Sequence, residues 1–566
     1  MNDRPWLKNY DKGVPTTIDY PKVPLFHFLE EAARKYPDRA CTIFKGAVIT
    51  YREMNALSDH MAAALVKDMG VKKGDRVGLF MPNTPQFMIA YFGILKAGGV
   101  VVAVNPTYPV EEILIPVNDA NIEVMFTLSR FYDRLIAVRE RSKLKRIIVT
   151  NIKETLPPML RLLFTLAKEK KEGDRVGSLA SGDVWMKDLL AKHANAPKPN
   201  VEVTPDDTAL FQYSGGTTGT PKGAVAMHRN VVANTLQIKS WMTGLVEGGE
   251  VVLMGIPLFH VYGMVAGMNF GMVIGASLVM VPNARDLKDV LVNISKYKAS
   301  IFPGVPLLYN GLNNHPDVKA GKYDLSSIKA CISGSAPLMR ETKEEFERLT
   351  GGKLFEAYGL SEAPTGTHCN PLNGENKVGS IGLPLPDVDC KLVSLDDGET
   401  EMQQGEIGEI ILHGPQVMKG YHNMPTETAN VLRQWKGQTW LFTGDIARMD
   451  EDGYFYIVDR KKELIKPGGF QDWPREVEEA IMDHPKVLEV GVGGIPDPKS
   501  GETVKAWVVV KPGETLTEDE LKEFCKGKLA PYKVPRYVEF RTELPKTTVG
   551  KILRRELVRQ HKETNK

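Results

Sequence analysis

The sequence predicts an α/β protein: a large N-terminal domain (1–459) of parallel-rich α/β subdomains, with a small β-barrel-like part at about 380–459, then a small α+β domain at 460–566. Three observations carry this. Apolar strand-like runs alternate with amphipathic helical patterns over 50–128 and again over 300–349, as in a parallel sheet covered by helices. Past Gly379 the texture turns to short strands, with a hairpin signal at Asp452-Gly453. At Asp459-Arg-Lys-Lys-Glu463 an apolar strand stops in a burst of charge, and the main boundary is placed there.

Thr50-Tyr-Arg-Glu53 reads as a capping box opening a helix to about Lys67, and Arg76–Met81 as a buried strand. Asn83-Thr-Pro85 opens a second helix, closed by Gly98-Gly99; strands follow at Val100 and Val124 with a helix from Glu111 to Asn121 between them. The second alternation runs through strands at Ser300 and Lys329 and helices at 305–313 and 338–349. In the terminal domain Pro474 starts a helix, 487–492 and 504–510 read as strands, and Thr517-Glu-Asp-Glu520 is another capping box.

Composition excludes several function classes. A formal net charge of +2, without a basic stripe interleaved with aromatics, argues against a nucleic-acid partner. The five cysteines, at 41, 331, 369, 390 and 525, are scattered and contain no C-x-x-C pair, which fits a reducing compartment without a disulfide framework or zinc site. The N-terminal residues lack the apolar core of a signal peptide and the C-terminal residues carry no lipidation or peroxisomal signal, so the expected location is cytoplasmic. Residues 251–284 contain no charged residue, but Pro257, His260, Asn269 and several glycines interrupt the run, which favours a doubly covered α/β core over a membrane span. The segment 155–171, apolar with clustered lysines at its end, has two readings. It is either a surface helix packing its apolar face on the body or a basic amphipathic element lying on the inner face of a membrane. The sequence also leaves room for a homodimer.

The densest chemistry lies in Tyr213-Ser-Gly-Gly-Thr-Thr-Gly-Thr-Pro-Lys-Gly223. Gly215, Gly216, Gly219 and Gly223 let backbone N–H groups turn toward an anion; Ser214, Thr217, Thr218 and Thr220 add hydroxyl donors, and Lys222 adds charge. This points to phosphate, although the spacing is not that of a Walker A loop, and a plain hairpin turn is the alternative. Tyr358-Gly-Leu-Ser-Glu362 follows a predicted strand, where ligands of open α/β sheets bind. Glu362 offers a hard oxygen to Mg2+, Asp445 a carboxylate to a ribose diol, and Lys551 a cation to a reacting phosphate. No G-x-S-x-G elbow, H-E-x-x-H helix or kinase signature set is present.

Together, Tyr213–Gly223, Tyr358–Glu362, Phe442-Thr-Gly-Asp445, Tyr456–Ile465 and Leu544–Arg555 occur in the order found in acyl-adenylate-forming enzymes. The chain resembles their acyl-CoA synthetase branch over about residues 25–560. It is most similar to long-chain fatty acyl-CoA ligases, through Phe211–Gly219, Gly414–Tyr421 and Tyr532-Lys-Val-Pro535.

The resemblance implies ATP, Mg2+ and CoA as cofactor and co-substrates, with a fatty acid as the acid. It places the β- and γ-phosphates on the glycine loop; adenine beside Gly334, Ser335, Ala336, Tyr358 and Gly359; the α-phosphate at Ser361; the metal at Glu362; and the ribose at Asp445 and Arg460. Lys551 would touch the carboxylate and α-phosphate, His260 would sit where acyl chain and thiol meet, and Asp459 would be the hinge of a mobile C-terminal domain. Lys466 and Gln471 match positions used for CoA or AMP. The chain departs from the pattern in having Ser361 where many relatives have threonine. A second departure, Asp472 where they have an apolar residue, puts charge near the thiolation surface. Medium-chain or aryl acid CoA ligases, a fatty acyl-AMP ligase serving a carrier protein, and a non-catalytic acyl-binding or uptake protein remain the alternatives.

Overall fold

The computed structural model describes residues 4–214, 221–467, 472–498, 500–547 and 550–564. Residues 215–220 of the glycine loop, Gln471 and the side chain of Ser214 lie outside the described residues. The chain divides into two compact units: Leu7–Asp389 with His413–Leu432, and Met1–Trp6 with Cys390–Leu412 and Arg433–Lys566.

Two sheets build the larger unit. In the first, eight strands run in the order Gly420–Tyr421, Lys222–Met227, Thr208–Ser214, Val100–Ala103, Arg76–Phe80, Val124–Leu128, Arg146–Thr150 and Val184–Trp185. From Thr208–Ser214 onward the pairing is parallel, while the first three strands pair antiparallel. The glycine loop therefore joins two antiparallel strands, with Ser214 opposite Lys222. The second sheet has nine strands, and its central strands Ser277–Met280, Val251–Met254, Ile301–Gly304, Ala330–Ser333 and Lys353–Leu360 are parallel.

The helices start where the sequence says they should. Thr50 and Glu53 close a reciprocal capping box on Tyr51–Lys67, and Thr84 caps Pro85–Lys96, whose residues are all buried. These two helices approach so closely that a Cβ on Gly93 would lie 2.8 Å from Met61 Cγ. Even Lys96 is buried between them, its ammonium donating to Asp59 at 2.7 Å and to Asn55 and Ser58 at 2.8 Å.

The uncharged segment is interior. Tyr262–Asn269 forms a wide-turn π-helix, buried throughout, and continues into Phe270–Val273. A side chain at Gly263 would put its Cβ 2.4 Å from the Pro257 carbonyl oxygen, so glycine there permits the approach. Among the described residues no helix is long and apolar enough to cross a membrane. Helix Pro158–Ala167 is different: none of its residues is buried, and Met159, Leu162, Leu163 and Leu166 are 74%, 60%, 53% and 77% exposed. The expectation that its apolar face packs on the body fails, because among the described residues nothing buries that face.

The smaller unit also holds two sheets. Asp389–Val393, Ile407–His413, Gln438–Met449 and Leu432–Trp435 form an antiparallel sheet that Phe455–Arg460 extends from Gln438–Met449. Val487–Asp497, Gly501–Val510 and Tyr537–Phe540 form the other, packed against helix Pro474–Met482 over a core that includes Val477, Val492, Val504 and Leu521. Contact density places the antiparallel sheet with the C-terminal residues, so Asp459 lies inside a compact unit and not at its edge.

Candidate active site

In the larger unit, the strands flanking the glycine loop are fixed by side chains on either side. The Tyr213 hydroxyl donates to Asp119 Oδ2 at 2.6 Å and its ring lies against Gly223, where a Cβ would come within 2.9 Å of Cζ. Gly223 is thus required by packing. Lys222 pairs with Glu427, and its ammonium stands 5.2 Å from the centre of the Tyr421 ring. The Tyr421 hydroxyl donates to Glu362 Oε1 at 2.6 Å, and the Glu362 carbonyl accepts from Met418 N–H at 2.8 Å. The phosphate-loop lysine and the candidate metal ligand therefore belong to one cluster.

Tyr358–Glu362 does not end its strand as the sequence suggested. The strand continues to Leu360, turns through Ser361 and Glu362, and returns antiparallel as Ala363–Cys369. The approach is closest at Gly359, where a Cβ would fall 1.5 Å from the Thr365 carbonyl oxygen; no other residue fits there. Tyr358 packs edge-on against His368, ring centres 5.8 Å apart. Gly334, Ser335 and Ala336 follow strand Ala330–Ser333, and Ser335 holds φ at +73°, a left-handed conformation uncommon for serine. The turn is held by buried Glu356, whose carboxylate accepts from Leu338 N–H and Gly379 N–H, both at 2.9 Å.

His260 lies just before the π-helix. Its Nδ1 accepts from Tyr262 N–H at 3.2 Å, which leaves the proton on Nε2, and burial pushes its pKa down to about 4. The imidazole is neutral at physiological pH. The segment leading to it is strapped by Asn83, which donates to the Met254 and Ile256 carbonyls at 2.8 Å each and accepts from Leu258 N–H at 2.7 Å.

The smaller unit gathers the other predicted residues. Asp445 and Arg460 face each other across paired strands and form an ion pair, Nε to Oδ1 at 2.9 Å. Lys551 lies beside them on a turn where its N–H donates to Thr547 Oγ1 at 3.1 Å. Burial, then the Arg460 charge, pushes its pKa down to about 8, while Asp445 and Glu463 oppose that shift. Asp459 is buried and accepts from Arg475 N–H at 2.7 Å and Arg554 Nη1 at 2.8 Å. The backbone N–H of Lys466, an exposed residue, donates to Glu502 at 2.7 Å.

Tyr421, Glu427, Glu356 and Asn83 carry no sequence-level assignment. Tyr421 ends the Gly414–Tyr421 run that supports the resemblance, and a tyrosine there signals nothing about a carboxylate 59 residues away. Among the described residues no group of three or more His, Cys, Asp or Glu side chains forms a metal site. Glu362 is nonetheless a half-buried carboxylate with one oxygen held by a phenol, which fits a hard cation shared with phosphate oxygens.

Residues 29–422 match the AMP-binding enzyme family, and residues 476–551 match the AMP-binding enzyme C-terminal domain. A "Long-chain-fatty-acid--CoA ligase" of Bacillus subtilis is 43% identical, with the alignment covering 100% of this chain and 99% of that protein. A protein of the same name from Escherichia coli O157:H7 is 37% identical, covering 98% of this chain and 97% of its own length. The ATP-bound structure of MatB from Rhodopseudomonas palustris superposes with a TM-score of 0.82 at 27% identity, over 96% of this chain and 100% of that one. With a family match over most of its length and relatives aligned end to end, the chain belongs to the AMP-binding enzyme family.

Proposed function

We propose that the chain is an ATP-dependent, AMP-forming long-chain fatty acid:CoA ligase. A fatty acid carboxylate oxygen attacks the α-phosphorus of ATP, the bond to pyrophosphate breaks, and acyl-AMP forms. The CoA thiol then attacks the acyl carbonyl, the bond to AMP breaks, and the thiol proton leaves to solvent or base. Two steps are needed because a free carboxylate would have to expel oxide, whereas acyl-AMP expels a stable anion.

The observation that carries the chemistry is Lys551 beside the Asp445–Arg460 pair, half-buried and with its pKa pushed down by partial desolvation. A desolvated cation interacts more strongly with charge developing on a phosphate than a hydrated one does. Asp445 with Arg460 holds the ribose. The loop 214–220 with Lys222 takes the β- and γ-phosphates, and Ser361 faces the α-phosphate. Gly334, Ser335, Ala336, Tyr358 and Gly359 border the adenine. Lys466 and Gln471 contact CoA or AMP, and neutral His260 lies at the meeting of acyl chain and thiol without contributing charge. Glu362 supplies a ligand to Mg2+, which when bound neutralises phosphate charge during adenylation. The choice of a long-chain acid is supported by the full-length relatives of that name. A peripheral contact with membrane lipid through 155–171 belongs to the same reading, supported by the exposed apolar helix there.

A panel of carboxylic acids of graded length, scored by CoA-dependent AMP formation, tests the assignment. Turnover should peak with long-chain acids. A maximum at medium-chain or aryl acids, or acyl-AMP that accumulates without passing to CoA, would replace it by the corresponding alternative.

A further inference from the structure

The segment carrying Tyr421 is clamped from two sides. Gly420 pairs with Val225 and Tyr421 with Ala224, while His422 N–H donates to the Gly223 carbonyl at 2.8 Å. On the other flank Tyr421 N–H donates to Thr428 Oγ1 at 2.9 Å. Gly420, at φ +148°, leaves no room for a side chain, since a Cβ would lie 2.7 Å from Thr428 Cγ2. The tyrosine is therefore aimed by backbone contacts independent of its ring. That aim brings its hydroxyl to Glu362 Oε1 and its ring beneath Lys222.

We infer that Tyr421 is a positioning residue for adenylation: its hydroxyl orients the Glu362 carboxylate toward the metal and its ring face holds Lys222 toward the pyrophosphate end of ATP. The inference rests on the ligase reading. A hydroxyl donating to Oε1 restrains the carboxylate that would hold the cation; such supporting bonds tune metal ligands strongly. The ring contributes separately, through a cation–π contact with Lys222 that phenylalanine retains and leucine removes.

The test uses the full chain with α,β-methylene-ATP and Mn2+, free Mn2+ being read by electron paramagnetic resonance. Tyr421→Phe should weaken nucleotide-dependent Mn2+ binding about tenfold while leaving metal-free nucleotide affinity and thermal midpoint unchanged. Tyr421→Leu should in addition weaken nucleotide binding without metal. In a Glu362→Gln background, Tyr421→Phe should have no further effect on Mn2+. Unchanged Mn2+ affinity in Tyr421→Phe, or equal losses with and without Glu362, would overturn the inference. Wild-type protein that bound no Mn2+–nucleotide at all would instead overturn the ligase reading.

Discussion

Asp472 and Ile465 exchange backbone hydrogen bonds at 2.9 Å, and the Asp472 side chain is buried. Burial pushes its pKa up to about 7; Lys533 opposes the shift, while Glu476 and Asp459 add to it. The sequence places this charge near the thiol, but the structure buries the side chain, so its charge is largely suppressed below neutrality. The folded protein keeps a proton that the unfolded chain releases near pH 4. The associated stability is present below that pH and lost as pH rises through about 7. Asp472→Leu should therefore stabilise the protein by about 1–3 kcal/mol at pH 8 and by less at pH 5, measured by urea denaturation. Equal gains at both pH values would show that the group does not titrate there. Lys222, Glu362, Asp445 and Lys551 stand out in the sequence because their chemistry suits nucleotide binding, and the structure sets Lys222 and Glu362 about Tyr421 and Lys551 beside Asp445. Tyr421 and Glu356 do not stand out, because their roles depend on partners brought close only by the fold.

Elements with local signals were read correctly. Capping boxes at Thr50 and Thr517 are closed by residues three positions away, and their helices begin where predicted. The hairpin at Tyr358–Glu362 was missed because its return strand, Ala363–Cys369, carries no alternation distinguishing it from loop. The π-helix was missed because its extra width comes from packing and not from a sequence period. Helix Pro158–Ala167 has a clear apolar pattern, but its surroundings could not be known from sequence. Its exposed leucines are accompanied by exposed Arg161, Lys168, Lys170, Lys171 and Arg175; Glu169 and Asp174 are buried, and exposed Glu172 pairs with Lys168 and Arg130. An apolar face next to exposed positive charge suits an anionic lipid surface. The protein should bind phosphatidylglycerol vesicles in a salt-sensitive manner. Reversing Lys170 and Lys171 to glutamate should weaken that binding tenfold or more, at about 1 kcal/mol per basic residue near the surface. Leu162→Glu with Leu166→Glu should abolish it. Vesicle binding unaffected by either pair would exclude this helix as the contact.

At the scale of the whole molecule, the proposed pair of reactions at one carbonyl would need Lys551 present for the first and out of the way for the second. The compact unit that holds Asp445, Arg460 and Lys551 together also holds Asp459 in its interior. We propose a pivot at Asp459, which would separate Lys551 from Asp445 without dismantling the C-terminal core. Arg554 pairs with Glu463 and Glu478, and all three lie beyond the pivot and travel together. On that proposal Asp459, bonded to Arg475 and Arg554, would be the axle, and the Lys461–Glu409 pair at 2.9 Å would part. Proline at 459 fixes φ but also removes the carboxylate that accepts from Arg475 and Arg554, so the thermal midpoint is measured alongside. Asp459→Pro should keep acid-dependent pyrophosphate release within about threefold, while thioester formation from supplied acyl-AMP falls tenfold or more. Lys551→Ala should do the reverse, slowing pyrophosphate release about a hundredfold and sparing the thioester step. Rapid-quench assays of the separate half-reactions distinguish these outcomes. If either substitution slowed both steps equally, the pivot at Asp459 would have to be abandoned, because only a rotation about that residue makes the two defects mirror images.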